Sequence, residues 1–242
     1  MLVRAKADLG KLVGEPGETL QGTLHRTLLE MILFGFFQRG ARLYPQQLAE
    51  QFEVSLTPVR EALMRLATEG YIEAIPRRGF HVKVPTPKQI VDLWQARLGL
   101  ELTAGELLIN RLVAGEITED DLAPVLATQS ELERDGANMT HNRHTQLNGD
   151  FHQQLVTLSG NALICSIYDG IQLQLLGAWV ANGLESWRDR LKHEGRDHLN
   201  LIKAIRKRDH DLYARTLREH IGRSLDGALS DLRQQKVELP AE

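Results

Sequence analysis

The chain has 242 residues, 42 % of them hydrophobic and 25 % charged, with a formal net charge of −3. That balance excludes a disordered or fibrous polymer and suggests one large domain or two small ones. No apolar run approaches the roughly 18 residues of a membrane span, the Met1-to-Asp8 stretch lacks a signal-peptide core, and the single cysteine, Cys165, excludes an intrachain disulfide and points to a reducing cytoplasm.

Residues 1–19 read as a loose tail, because Gly14-Glu15-Pro16-Gly17-Glu18 cannot sit inside a helix. From Leu20 onward, Leu24, Leu28, Ile32 and Phe36 recur every four positions and predict a helix. Gln38-Arg39-Gly40-Ala41 ends it, and Pro45 suits the first turn of a short helix running to about Phe52. Ser55 or Thr57 is expected to cap the next helix, with Pro58 in its first turn and Glu61 returning a capping bond. Gly70 stops that helix. Two short strands, 71–75 and 80–84, then flank Pro76-Arg77-Arg78-Gly79 as a hairpin.

Pro85-Thr86-Pro87 is a stiff break and marks a linker at 85–87. Beyond it, helices are predicted near 87–113, 119–135, 141–159, 162–182, 186–207 and 209–235, with a short tail at 236–242. The expected fold class is mainly α: a winged helix–turn–helix over 20–84, then an antiparallel all-helical bundle of about six helices over 88–235. The formal charge is +2 over 21–84 and −5 over 85–242. This mild asymmetry permits a nucleic-acid partner for the front domain without requiring one.

In a winged helix–turn–helix the second helix of the pair enters the major groove, N-terminal end first. Here that end carries Ser55-Leu56-Thr57-Pro58-Val59-Arg60. The planar fork of Arg60 suits guanine, and Ser55 and Thr57 suit phosphate. Arg65 lies further along the helix, and Arg77 and Arg78 lie at the hairpin tip. Pattern alone fits DNA binding and a generic interaction module equally well.

The run Leu48-Ala49-Glu50, Val54-Ser55-Leu56-Thr57-Pro58-Val59-Arg60-Glu61-Ala62-Leu63, Glu69-Gly70 and Arg77-Arg78-Gly79-Phe80 resembles the DNA-binding domain of GntR-type bacterial regulators. The resemblance implies operator recognition by Ser55, Thr57, Arg60, Arg65, Arg77 and Arg78. Leu56 stands where that family has an arginine, which leaves Arg60 as the main base reader. Glu53 stands where the family often has a turn glycine.

In the second domain, Asn148 and His152 are spaced i,i+4 and share one helix face, about 6 Å apart at Cβ. His198 and His220 would be about 33 Å apart in one unbroken helix. A turn at Arg206-Lys207-Arg208-Asp209, with Asp209 capping the next helix, would bring them level in an antiparallel pair. Three neutral imidazoles and an amide oxygen suit a borderline divalent ion. Two coincidental histidines on solvated helices would give the same spacing.

Asn148-Gly149-Asp150-Phe151-His152, Ser159-Gly160-Asn161, His198 and His220-Ile221 resemble the FCD effector domain of the FadR subfamily. The resemblance implies zinc or nickel held by His152, His198 and His220, with Asn148 in place of the usual aspartate. Arg97 and Glu101 match that family's Arg-x-x-x-Glu, which casts Arg97 as the contact for a carboxylate effector; a simple surface pair is the alternative. The expectation is a cytoplasmic dimeric regulator, not an enzyme, whose partners are operator DNA and a small organic acid. The alternatives are a metal-free pocket for an apolar or acyl effector and, from another class, a metal-dependent hydrolase. The chain has no phosphate loop and no nucleophile elbow, and Cys165 reads as core.

Overall fold

The computed structural model describes residues 19–33, 36–135, 139–180 and 187–234. Of the tails expected at 1–19 and 236–242, all but Thr19 lies outside the described residues. The chain divides into two compact units, one ending at Val84 and the other spanning Pro85–Lys236.

The first unit runs α1 (Leu20–Leu33), β1 (Arg42–Leu43), α2 (Pro45–Gln51), α3 (Leu56–Thr68), β2 (Ile72–Ile75) and β3 (Gly79–Val82). Of the five apolar residues spaced by four, Leu24, Leu28 and Ile32 are buried on α1, whereas Leu20 at its start and Phe36, beyond its end at Leu33, are about half exposed. Helix α1 packs against α3, whose Val59, Ala62, Leu63 and Leu66 are buried. His25 Nε2 lies 2.6 Å from Glu69 Oε2 and ties α1 to the end of α3.

Ser55 holds the N-cap position of α3, but its side chain makes no capping bond. The expected cap fails for a local reason. Three residues on stands Pro58, which has no N–H to donate, and Glu61 lies too far along to close a capping box. The sheet order is β1-β3-β2, with both pairings antiparallel. Strand β1 was not expected. It pairs antiparallel with β3, Arg42 opposite His81 and Leu43 opposite Phe80, and Leu43 is buried.

The second unit is helical: α4 (Pro87–Ala114), a 3₁₀ turn (Glu119–Leu122), α5 (Ala123–Asp135), α6 (His141–Leu158), α7 (Ala162–Val180), α8 (Trp187–Lys207) and α9 (His210–Gln234). A capping box starts α4: Gln89 N–H donates to Thr86 Oγ1 at 3.2 Å and Thr86 N–H to Gln89 Oε1 at 2.9 Å. Gly115, with φ 72°, ends it in the left-handed conformation that favours glycine. The helix expected over 119–135 starts as a 3₁₀ turn because Pro124 cannot supply the N–H a continuous α-helix needs there.

Asn161 Oδ1 accepts the N–H groups of Leu163 and Ile164 at 3.1 Å each and starts α7. Asp209 Oδ1 accepts Leu212 N–H at 2.9 Å and starts α9. Ile90, Trp94, Leu108, Ile109, Phe151, Leu155, Leu201, Ile205, Leu217 and Ile221 form the core. Trp94 satisfies its buried N–H by donating to Ser224 Oγ at 2.8 Å. Cys165 is half-buried at the edge of a smaller cluster formed by Ala104, Val156 and Tyr168.

Candidate DNA-reading surface and histidine centre

The six residues expected to meet DNA are all exposed. Ser55, Thr57 and Arg60 occupy the N-terminal end of α3, where unpaired backbone N–H groups favour an anion. Arg65 is set apart from them: its Nε donates to Glu69 Oε1 at 3.0 Å, one turn further along. Arg77 and Arg78 sit in the β2–β3 turn, where Arg77 has φ 64° and Gly79 φ 88°.

In the bundle, the structure brings together three of the four expected metal ligands. The rings of His152 (α6), His198 (α8) and His220 (α9) form a near-equilateral triangle, with centroids 5.0–5.1 Å apart. One nitrogen from each lies within 4.8 Å of the other two. All three residues are buried. Phe151 stacks on His198 at 3.9 Å and 9° and fixes that ring's plane. Asn148 lies one turn before His152; it is buried, and its Oδ1 has no hydrogen-bond partner.

Each imidazole is oriented through Nδ1 by a different acceptor. His152 Nδ1 donates to Glu101 Oε2 at 2.8 Å, His198 Nδ1 to Gln129 Oε1 at 3.0 Å, and His220 Nδ1 to Asp197 Oδ2 at 3.4 Å. The amide of Gln129 has a forced orientation. Its Nε2 donates to Glu133 Oε1 and to Gly195 O, at 3.0 and 3.3 Å, so Oε1 is left to accept. With every Nδ1 carrying its proton, every Nε2 presents a lone pair. His198 Nε2 is buried with no partner. His152 Nε2 and His220 Nε2 face each other at 3.1 Å.

Electrostatics agree with neutral rings at His152 and His198. Burial, followed by the neighbouring histidines, holds His198 well below the usual imidazole range, and burial brings His152 down to about 4. Burial opposes ionisation of Glu101, but the Arg97 guanidinium and His152 outweigh it and hold its carboxyl well below the usual carboxylate range. Arg97 Nε donates to Glu101 Oε1 at 2.6 Å, and Tyr168 OH donates to the same oxygen at 2.6 Å. Arg97 therefore forms the i,i+4 pair, but a buried one and not the surface pair considered from sequence. Asp197 also receives Arg223 at 2.5 Å.

The amino-acid sequence matches the family described as bacterial regulatory proteins, gntR family, over residues 20–82, and the FCD domain over residues 92–223. The chain belongs to the GntR family and carries an FCD domain. The Nta operon transcriptional regulator of Aminobacter aminovorans is 31 % identical over 205 residues, covering 84 % of this chain and 91 % of that one. The gluconate operon transcriptional repressor of Bacillus licheniformis is 28 % identical, covering 83 % and 81 %. Among solved structures, Escherichia coli McbR/YncC superposes with a TM-score of 0.72 at 22 % identity, over 90 % of this chain and 99 % of that one. A GntR regulator from Rhodococcus sp. RHA1 gives 0.73 at 17 %, over 87 % and 97 %.

This GntR-family protein is a DNA-binding transcription regulator, and the expectation of a non-enzyme agrees with families and relatives that are all regulators. Among the described residues, no helix is long and apolar enough to cross a membrane. Sequence reasoning missed Gln129, Asp197 and Tyr168. Their helical periodicity marks them only as inward-facing positions, and their roles arise from helices that meet in three dimensions. Asp150, half-buried, does not join the histidine centre.

Proposed function

We propose that the FCD domain of this regulator is a metal-dependent sensor of a small organic acid. His152, His198 and His220 hold a divalent ion, zinc or nickel, through Nε2, and Asn148 supplies a neutral oxygen. The observation that carries this reading is the facing lone pairs of His152 and His220 at 3.1 Å, beside a buried Nε2 of His198 with no partner. Lone pairs that close repel unless a cation sits among them, and a buried acceptor without a donor costs about 1–3 kcal/mol. Glu101, Gln129 and Asp197 are the kind of oriented acceptors that ligating histidines use. When bound, the ion would supply an electrophilic point for a carboxylate.

The chain's own residues set the response. Arg97 and Glu101 are each other's partners, so an arriving effector carboxylate competes with Glu101 for the guanidinium. Release of Glu101 alters its bond to His152 and couples effector binding to the bundle. Operator binding uses Ser55, Thr57, Arg60, Arg65, Arg77 and Arg78 of two protomers, because a half-site reader gains specificity as a dimer. The protein acts in the cytoplasm, where its operator lies. A metal-free apolar pocket leaves the three Nε2 lone pairs unexplained.

The test is elemental analysis of purified protein beside a His152→Ala variant, followed by a carboxylate screen for thermal shift. About one zinc or nickel per chain, lost in the variant, is the expected result. Metal absent from both proteins, with none taken up on addition, would overturn the sensor reading.

A further inference from the structure

We infer that Arg42, on the two-residue strand β1, is a phosphate contact of the DNA-binding domain and works with Arg77 and Arg78 as one cationic group. The inference rests on the reading that the β2–β3 hairpin touches DNA. The partner is the phosphodiester backbone, whose oxygens match the planar fork of a guanidinium.

Pairing geometry sets the direction of Arg42. On β1, Leu43 is buried and Arg42 is exposed, so Arg42 faces outward. Opposite residues of an antiparallel pair share a face, as do residues two apart on one strand. Arg42 opposes His81, and His81 is two residues from Gly79, so all three lie on one face. A Cβ placed on Gly79 would lie 3.7 Å from Arg42 Nε and 3.8 Å from its Nη2. The guanidinium therefore lies over the end of the hairpin turn that carries Arg77 and Arg78. Gly79, at φ 88°, both closes that turn and leaves Arg42 its space.

Two further observations set Arg42 apart from an ordinary surface arginine. Its Cζ sits 4.9 Å from the ring centroid of Tyr44, which is 41 % exposed and holds the N-cap position of α2. An aromatic platform restrains the long side chain before any ligand arrives, so less freedom is lost on contact. Second, no carboxylate of the described residues is in an ion pair with it, in contrast to Arg65 with Glu69. The His81 ring stands between Gly40 O, 3.5 Å from its Nδ1, and Arg78 O, 3.3 Å from its Nε2, and a neutral ring donates to one of the two.

The test measures the salt dependence of DNA binding by the full chain. The probe is a short duplex enriched by the wild-type protein from a random-sequence pool, followed by fluorescence anisotropy. Each lost phosphate contact lowers the slope of log K against log salt by about 0.9. Arg42→Ala is expected to lower it by about one, with the thermal unfolding midpoint unchanged. Arg42→Lys keeps the slope, Tyr44→Phe leaves binding intact, and Tyr44→Ala weakens binding without changing the slope. An unchanged slope in Arg42→Ala, with Arg77→Ala/Arg78→Ala lowered by about two, would overturn the assignment of Arg42 and leave the hairpin reading standing. Unchanged slopes in all of them would overturn the hairpin reading itself. A lower unfolding midpoint with an unchanged slope would make Arg42 a hairpin brace instead.

Discussion

Gly105 lies in the middle of α4, where a glycine ordinarily costs about 1 kcal/mol relative to alanine. Substituting alanine should therefore stabilise the helix, yet the structure predicts the opposite. A Cβ on Gly105 would lie 2.0 Å from Tyr213 Cε1, 2.3 Å from Cζ and 2.7 Å from the hydroxyl oxygen. Reaching ordinary contact at about 3.5 Å requires the ring to move by roughly 1.5 Å. Tyr213 is 2 % exposed, sits in the main core, and donates its hydroxyl to Glu101 O at 3.4 Å. Overpacking of this kind costs typically 1–3 kcal/mol and more where nothing yields. With the upper end of that range, about 3 kcal/mol, taken for so short a contact and the propensity gain of about 1 subtracted, Gly105→Ala should destabilise the bundle by about 2 kcal/mol. All three tryptophans, Trp94, Trp179 and Trp187, lie in the second unit, so urea unfolding followed by tryptophan fluorescence reports the bundle alone. In a Tyr213→Ala background the ring is gone, and the same substitution should stabilise by up to about 1 kcal/mol. That change of sign is the signature of the contact. Equal destabilisation in both backgrounds would refute the reasoning.

Four further outcomes are expected. Glu53 has φ 54° in the α2–α3 connection, so Glu53→Gly should relieve about 1 kcal/mol of backbone strain and raise the calorimetric transition of the first unit; a lowered transition would contradict it. Arg97→Ala leaves Glu101 charged and buried and should cost about 3–5 kcal/mol by urea unfolding, with a loss under 1 kcal/mol counting against a buried pair. Gln129→Ala removes the acceptor of His198 Nδ1 and should weaken metal binding tenfold to a hundredfold in chelator competition, and unchanged affinity would show that this acceptor does not orient the ligand. In chelator-treated protein, acid should destabilise the bundle. The His152 pKa is brought down to about 4 in the folded state, so the unfolded state binds more protons as pH falls below about 6.5, and near pH 4 this one residue withdraws about 3 kcal/mol. Glu101, held below the usual carboxylate range, acts in the same sense at lower pH. A flat fluorescence midpoint between pH 7 and pH 4 would contradict the His152 shift.

The helices were legible because local chemistry punctuates them. Asn161 and Asp209 start α7 and α9 through their own side chains, and Gly70 and Gly115 end α3 and α4 at positive φ. Ser55 shows the limit of that method. Its residue type favours a cap, but the proline three positions on removes the donor. Strand β1 has only two residues and no period of its own; its pairing with β3 creates it. The histidines were legible because an i,i+4 spacing and a mid-segment turn are properties of one chain segment. Their orienting acceptors were not, because each comes from another helix: Glu101 from α4 for His152, Gln129 from α5 for His198, and Asp197 from α8 for His220. Arg97 paired as its spacing suggested, while its burial followed from helices packed over it.

Helix α4 has a mechanical consequence. Its 28 residues run without interruption from Pro87, the last residue of the expected linker, to Ala114, about 42 Å at 1.5 Å per residue. Thr86 and Gln89 clamp its leading end, Trp94 fastens it to Ser224 of α9, and Glu101 anchors it to His152. Glu101 stands about 21 Å from the start of the rod. A helix stiffened in this way does not absorb a small axial shift or roll at Glu101 by bending. It delivers the displacement, as a lever does, along its own length to its leading end at Pro87.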